Sequence, residues 1–182
     1  MTANHYEIRF SGTGGQGMML MGDVMAQAAG ITDGKEVVLL KSYGPEARGG
    51  ACRSELIIDT APISYPALVR PDFVLAMSQQ AADSYTKDMD PETGVLLIDS
   101  DLVKNHPGIK HIYALPLTAI ANKVTGKAIT ANVVALGAIS VLSSAVEEEG
   151  ILKAVLERFP EKLQAMNRAA FAAGVEAAKG VQ

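Results

Sequence analysis

The chain has 182 residues, of which 48% are apolar and 20% charged, with a net charge of −4. This suffices for one domain with a full core, and the mixed charges exclude a disordered chain. The acidic balance, the lack of Trp and the few other aromatics argue against a nucleic-acid partner, which calls for a basic face and stacking rings.

A single cysteine, Cys52, rules out an internal disulfide and cannot alone hold an iron–sulfur cluster, which takes about four thiolates. His5, His106 and His111 lack the spacing of zinc ligands. Residues 1–10 carry Glu7 and Arg9 within an apolar run and do not form a signal peptide. No stretch approaches about 18 uncharged apolar residues, so no membrane span is expected and the chain reads as soluble and cytoplasmic.

In chain order, residues 6–10 read as a short first strand that stops at Ser11-Gly12. A glycine cluster follows, and residues 18–29, rich in Met, Ala and Leu, read as a helix ended by Gly30 and Asp33-Gly34. Residues 37–40 are an unbroken apolar run, the pattern of a strand covered on both faces. Together these segments predict a βαβ unit of a parallel sheet. After a Gly- and Pro-rich loop, residues 51–58 read as a strand and 62–68 as a turn with a short helix. Strands are predicted over 72–77, 94–98 and 110–114, with a helix over 79–87. Beyond Pro116 the period changes, and 117–124, 132–146, 151–158 and 161–179 read as helices. No repeat or linker divides the chain. The expected fold over residues 1–182 is one α/β domain, Rossmann-like and three-layered, with a mostly parallel sheet and a helical C-terminal third.

Gly12-Thr13-Gly14-Gly15-Gln16-Gly17 satisfies GxGxxG between a predicted strand and a predicted helix. In dinucleotide-binding folds such glycines let the backbone approach a pyrophosphate at a helix N-terminus. That fingerprint also wants an acid about 20 residues on, at the end of the second strand. Here the strand ends in Leu39-Leu40-Lys41-Ser42, and Glu36 lies at its beginning. Three uses of the glycines stay open: close packing or a protein contact without ligand, contact with a phosphate, and a true dinucleotide site. The absence of GK[ST] after the loop excludes a P-loop.

A second loop runs Tyr43-Gly44-Pro45-Glu46-Ala47-Arg48-Gly49-Gly50. Arg48 could bind a carboxylate or phosphate through two parallel hydrogen bonds, or pair with Glu46 to hold the loop.

The two motifs in this order, SGTGGQG and then YGPEARGG, resemble the γ subunit of 2-oxoacid:ferredoxin oxidoreductases, most of all the 2-oxoglutarate type. Pyruvate, branched-chain and indolepyruvate types stay open. The likeness extends through SELIID, PDFVLAMSQQA and TANVVALGA. It implies a non-catalytic, accessory subunit of an enzyme that converts a 2-oxoacid and coenzyme A to acyl-CoA and carbon dioxide, with electrons passing to ferredoxin. It further implies α and β partner subunits, with δ left open. Those partners, and not this chain, would hold thiamine diphosphate, magnesium and iron–sulfur clusters. The resemblance singles out Gly12, Gly14, Gly15, Gln16 and Gly17 as a phosphate or subunit contact. It marks Tyr43, Glu46, Arg48, Gly49 and Gly50 as a partner- or coenzyme A-side loop. The competing reading is a free-standing Rossmann nucleotide-binding protein, against which the missing acid counts.

Three further expectations come from local pattern. Thr130 is a plausible N-cap, with Asn132 making a polar contact to a neighbouring loop. Gly137, inside a helix, implies close packing against another backbone. Cys52 reads as a small buried hydrophobe and Glu147-Glu148-Glu149 as a solvated turn.

Overall fold

The computed structural model describes residues 4–43 and 50–181. Six strands form one sheet: β1 (His5–Thr13), β2 (Glu36–Tyr43), β3 (Ala51–Asp59), β4 (Phe73–Ala76), β5 (Val95–Asp99) and β6 (His111–Leu115). Their spatial order is β2-β3-β1-β4-β5-β6. Neighbours β1, β4, β5 and β6 pair in parallel, whereas β3 is antiparallel to both β1 and β2. Five strands therefore point one way and β3 alone runs against them.

This corrects the expected βαβ unit. β1 and β2 do run in the same direction, but β3 lies between them. Residues 36–59 pair locally as two antiparallel strands, a short-range contact that closes before a long crossover can bring β2 beside β1. β3 is buried along most of its length, as a central strand should be. β2 is the edge strand, and its Leu40 is 38% exposed, so the apolar run 37–40 is not covered on both faces.

Helices cover the sheet unequally. α1 (Met18–Gln27), continued by a π-helical turn at Ala28–Thr32, lies on one face with α3 (Leu117–Thr125), α4 (Ala131–Leu142), α5 (Glu148–Arg158) and α6 (Glu161–Lys179). Tyr6, Ile8, Phe10, Leu56, Leu75 and Leu97 point from the strands into this larger cluster. α2 (Gln79–Tyr85) covers the opposite face, where Val74, Ala76, Leu96 and Ile98 meet Ala82 and Met89. The result is three layers, as the sequence predicts.

α4 is buried over nearly its whole surface because α6 closes on it. A Cβ on Gly137 would strike the Phe171 carbonyl, and one on Gly174 would strike the Val134 carbonyl. Reciprocal glycines thus let two helix backbones touch, the close approach that a glycine inside α4 implies.

Several local expectations need correction. Residues 62–68 form bends and no helix, with Pro62 and Pro66 supplying no N–H to a helical ladder. α4 ends at Leu142, after which Ser143 is extended. Glu147 to Glu149 open α5, where Glu148 and Glu149 in the first turn suit the positive end of the helix dipole. Thr130 occupies the N-cap position of α4 without capping it. Its hydroxyl donates to the Lys127 carbonyl (2.9 Å) and meets the Thr125 hydroxyl (2.7 Å).

The charges inside the β1 pattern are paired on the α2 face. Arg9, 6% exposed, donates through Nε to Glu55 (2.7 Å) and through Nη1 and Nη2 to Asp88 (2.6 and 2.8 Å). It also donates to the Tyr85 carbonyl (2.8 Å). Burial opposes the Arg9 charge, but the hydrogen bonds and charges of Asp88 and Glu55 outweigh it and hold its pKa above the ordinary value. Glu7 accepts from the amides of Val69 and Arg70 (2.9 and 2.8 Å), fastening the segment that returns to β4.

Arg9→Leu removes the nearer of the two arginines on buried Glu55, leaving Arg53 at 3.1 Å, and should cost about 2–3 kcal/mol in urea unfolding, at or below the lower end for a broken buried pair because Arg53 remains and Asp88 can turn to solvent. His5 sits 2.7 Å from Asp59, whose hydrogen bond is the main cause of its raised pKa. A raised folded pKa gives stability that is complete below the unfolded value near 6.5 and fades as pH rises through the folded value. Asp59 is lowered, so its share fades only toward acid pH. The stability difference between wild type and His5→Gln should therefore be largest just below pH 6.5 and should shrink as the pH rises above it.

Candidate functional site

β1, β2, β4, β5 and β6 all end at one edge of the sheet, and β3 begins there. After β1 the chain passes to α1 on one face, and after β4 to α2 on the other. The loops part between β1 and β4, which is where open α/β sheets leave a crevice outside their strand ends.

β1 extends through Gly12 to Thr13, further than its apolar run suggests, so the turn proper is Gly14 to Gly17. Gly15 and Gly17 have φ of +95° and +84°, conformations that favour glycine. At Gly12 a Cβ would lie 2.6 Å from Gln16 Oε1 and 3.2 Å from Met77 Cβ, and at Gly17 it would strike the Asn132 amide. Gln16 spans the gap these glycines leave. Its Oε1 accepts from the Thr13 amide (2.7 Å) and hydroxyl (3.1 Å), and its Nε2 donates to the Met77 carbonyl (2.7 Å). Ser11 adds a hydroxyl bond to the Leu75 carbonyl (2.7 Å). The glutamine thereby ties the β1–α1 turn to the end of β4, using its amide oxygen and one amide N–H on protein groups.

The two sequence motifs meet at this edge. The Gly14 amide donates to the Gly50 carbonyl (3.3 Å), and Cys52 pairs with Gly12 on one side and Tyr43 on the other. Tyr43 is 72% exposed, whereas Gly50 is buried. Gly44, Pro45, Glu46, Ala47, Arg48 and Gly49 lie outside the described residues. Burial pushes the Cys52 thiol up, away from the thiolate.

Beside the turn lies a crevice of about 230 Å³, lined by Gly15, Gln16, Met77, Thr118 and Ala131, with Leu102 and Ile129 at its rim. Leu102 is 41% and Ile129 58% exposed, so the rim is apolar and open. Its far wall is set by Asp99. That buried carboxylate accepts from the Thr118 amide (3.0 Å) and hydroxyl and from the Asp101 amide (3.1 Å), fixing the start of α3. No described charged residue lines the crevice. Lys41 is engaged elsewhere, donating to Asp23 (2.6 Å). Asn132 is buried, with Oδ1 accepting from the Val133 amide (2.8 Å) and Nδ2 against Gly17. Among the described residues no three His, Cys, Asp or Glu side chains converge to hold a metal, and no helix is long and apolar enough to cross a membrane.

Sequence reading misses the structural weight of Asp99 and of Asn167. Asn167 shares the apolar stripe of α6 with Leu163, Ala170, Phe171 and Gly174, and a polar residue in such a stripe is the available signal.

Residues 7–177 match the family described as Pyruvate ferredoxin/flavodoxin oxidoreductase. The 2-oxoglutarate synthase subunit KorC of Methanocaldococcus jannaschii is 44% identical over 176 residues, covering 95% of this chain and 94% of that one. The crystal structure of the gamma subunit of a keto/oxoacid ferredoxin oxidoreductase from Geobacter sulfurreducens superimposes with a TM-score of 0.89 at 46% identity, over 98% of both chains. The ketoisovalerate oxidoreductase subunit VorA of Methanothermobacter thermautotrophicus is 33% identical over 94% of this chain, but over only 36% of its own length. The chain therefore belongs to the pyruvate ferredoxin/flavodoxin oxidoreductase family, as a γ-type accessory subunit of a 2-oxoacid:ferredoxin oxidoreductase.

The two left-handed glycines should respond differently to alanine. Gly15→Ala meets open space and should lose about 1–2 kcal/mol from its backbone alone. Gly17→Ala must also displace Asn132, and should lose roughly 3 kcal/mol or more by urea unfolding.

Proposed function

We propose that the chain is the γ subunit of a cytoplasmic 2-oxoglutarate:ferredoxin oxidoreductase. In this reading the assembled enzyme converts 2-oxoglutarate and coenzyme A to succinyl-CoA and carbon dioxide and passes the electrons to ferredoxin. The observation that carries it is the 44% identity to a 2-oxoglutarate synthase subunit across nearly the whole of both chains. The ketoisovalerate relative aligns at lower identity, which ranks the branched-chain substrate second.

Thiamine diphosphate, magnesium and the iron–sulfur clusters fall to the α and β partners in this proposal, with a δ subunit where the enzyme has one. The residues of this chain support that division. Its one cysteine cannot ligate a cluster alone, and its described residues offer no metal-binding group. The chain's own contribution is a surface. Gly14, Gly15, Gln16 and Gly17 of the glycine turn, Tyr43 and the apolar rim of Leu102 and Ile129 would form the face turned to the α subunit, with Gly12 and Gly50 buried just behind it. Glu46, Arg48 and Gly49 would extend that face, with Arg48 meeting a partner carboxylate or a coenzyme A phosphate. Asn132 holds the turn from behind. Such an accessory face contributes orientation and exclusion of water to chemistry that the cofactor performs.

Anaerobic purification of the tagged chain from its host is the test. The expected result is co-elution of thiamine- and cluster-bearing subunits, with viologen reduction that needs coenzyme A and is fastest with 2-oxoglutarate among pyruvate, 3-methyl-2-oxobutanoate and indolepyruvate. A complex fastest with another 2-oxoacid overturns the substrate assignment, and a chain that elutes alone and binds a dinucleotide overturns the whole reading.

A further inference from the structure

β2 ends the sheet on one side, and the neighbouring ladders fix which main-chain groups lie on its outer edge. The Thr60 amide donates to the Asn4 carbonyl (2.9 Å) and the Gly14 amide to the Gly50 carbonyl (3.3 Å), so the even-numbered residues of β3 bond to β1. Bonded and non-bonded pairs alternate along an antiparallel ladder, so the odd-numbered residues of β3 bond to β2. Their partners there are Glu36, Val38, Leu40 and Ser42. The main-chain groups of Val37, Leu39 and Lys41 therefore point away from the sheet, and no described residue bonds to them.

Such an edge is a template for another strand, and soluble proteins blunt it with proline, a bulge, a free charge or a cover. β2 has no proline and no bulge: its eight residues oppose Asp59 to Cys52 one for one. Its one cation, Lys41, is drawn back to Asp23 of α1 (2.6 Å). The α2-side face of β2 is open as well. Leu40 and Val38 stand there beside Glu55 and Ile57, Leu40 38% exposed and Val38 half-buried.

The pattern of β2 is complementary to itself. When a second copy runs antiparallel about a two-fold axis at Leu39, outward groups meet outward groups. Leu39 then faces Leu39 and Val37 faces Lys41, each pair exchanging two hydrogen bonds. On the open face Val38 lies against Leu40 of the other copy, so the exposed apolar side chains cover one another. No like charges oppose, because Glu36 faces Ser42 and Lys41 faces Val37. A shift of the pairing either way would set Val38 against Ser42 or Leu40 against Glu36, so the apolar pattern selects this register.

We propose that two copies of this chain pair along β2, antiparallel and two-fold related, so that their sheets run on as one. The strand-end edge stays free in this pair, and the pairing stands apart from the assignment of partners and substrate.

Sedimentation velocity of the full chain from about 1 to about 100 µM is the test, since the mass of a dimerising chain depends on concentration. The mass should rise to twice that of one chain, and hydrogen exchange at the Val37, Leu39 and Lys41 amides should slow over the same range. Leu40→Lys sets a cation beside Glu55 of its own chain and removes a leucine from the self-contact. It should fold as wild type by circular dichroism yet weaken pairing about tenfold or more. Lys41→Pro deletes an outward N–H and leaves the β2–β3 ladder whole, so it should also weaken pairing in a folded chain. A chain that stays monomeric throughout, a dimer that either substitution leaves unchanged, or a dimer whose slowed exchange lies elsewhere would each overturn the proposal.

Discussion

The turn between β1 and α1 can close only where side chains are missing. Gly12 gives its space to Gln16 and Met77, and Gly17 gives its space to Asn132. Through these two omissions α1 starts directly off the central strand, the β4 end is drawn in by the Gln16 bridge, and Asn132 of α4 packs directly on Gly17. The crevice, its apolar rim and the meeting of the two glycine-bearing loops all follow from that closure. A sequence that reads as a phosphate loop is, in its described contacts, a joint: the donors of Gln16 and Gly14 go to carbonyls of Met77 and Gly50.

The same economy recurs on the helical side. Gly137 and Gly174 let α4 and α6 touch, so that the C-terminal third becomes a rigid block behind the sheet. Rigidity there and an open apolar rim at the strand ends suit the surface-presenting role proposed for this subunit. The charged network of Arg9, Glu55 and Asp88 stiffens the other face under α2, where the core is thinner. It is built from side chains on β1, β3 and the segment after α2, so those elements cannot slide past one another without breaking it.

Much of this was legible in the residues. All six strands are visible as apolar or alternating runs, and α6 stands out because Glu161 to Lys179 has helical periodicity bounded by Pro160 and Gly180. The paired motifs point to the family, and Gly137 to a close helix crossing. What pattern could not give was pairing. β3 enters between β1 and β2 through the local hairpin, and no periodicity in 37–40 distinguishes an edge strand from a central one. Glu147 to Glu149 look like a solvated turn because charge alone does not reveal a helix start. Gln16 and Asn132 were visible as polar residues at the right places, but their partners, Met77 and Gly17, are 61 and 115 residues away and emerge only from the fold.

The central claim is that the strand-end edge is the face this subunit turns to its partners. Hydrogen exchange on the chain alone and within the anaerobically assembled complex tests it most directly. The account predicts that assembly slows exchange at residues 12–17, 43, 50–52 and 128–131, leaving the α2 face and the outer edge of β2 unchanged. Slowing confined to the α2 face or to β2, with the glycine turn exchanging as it does in the isolated chain, would contradict it.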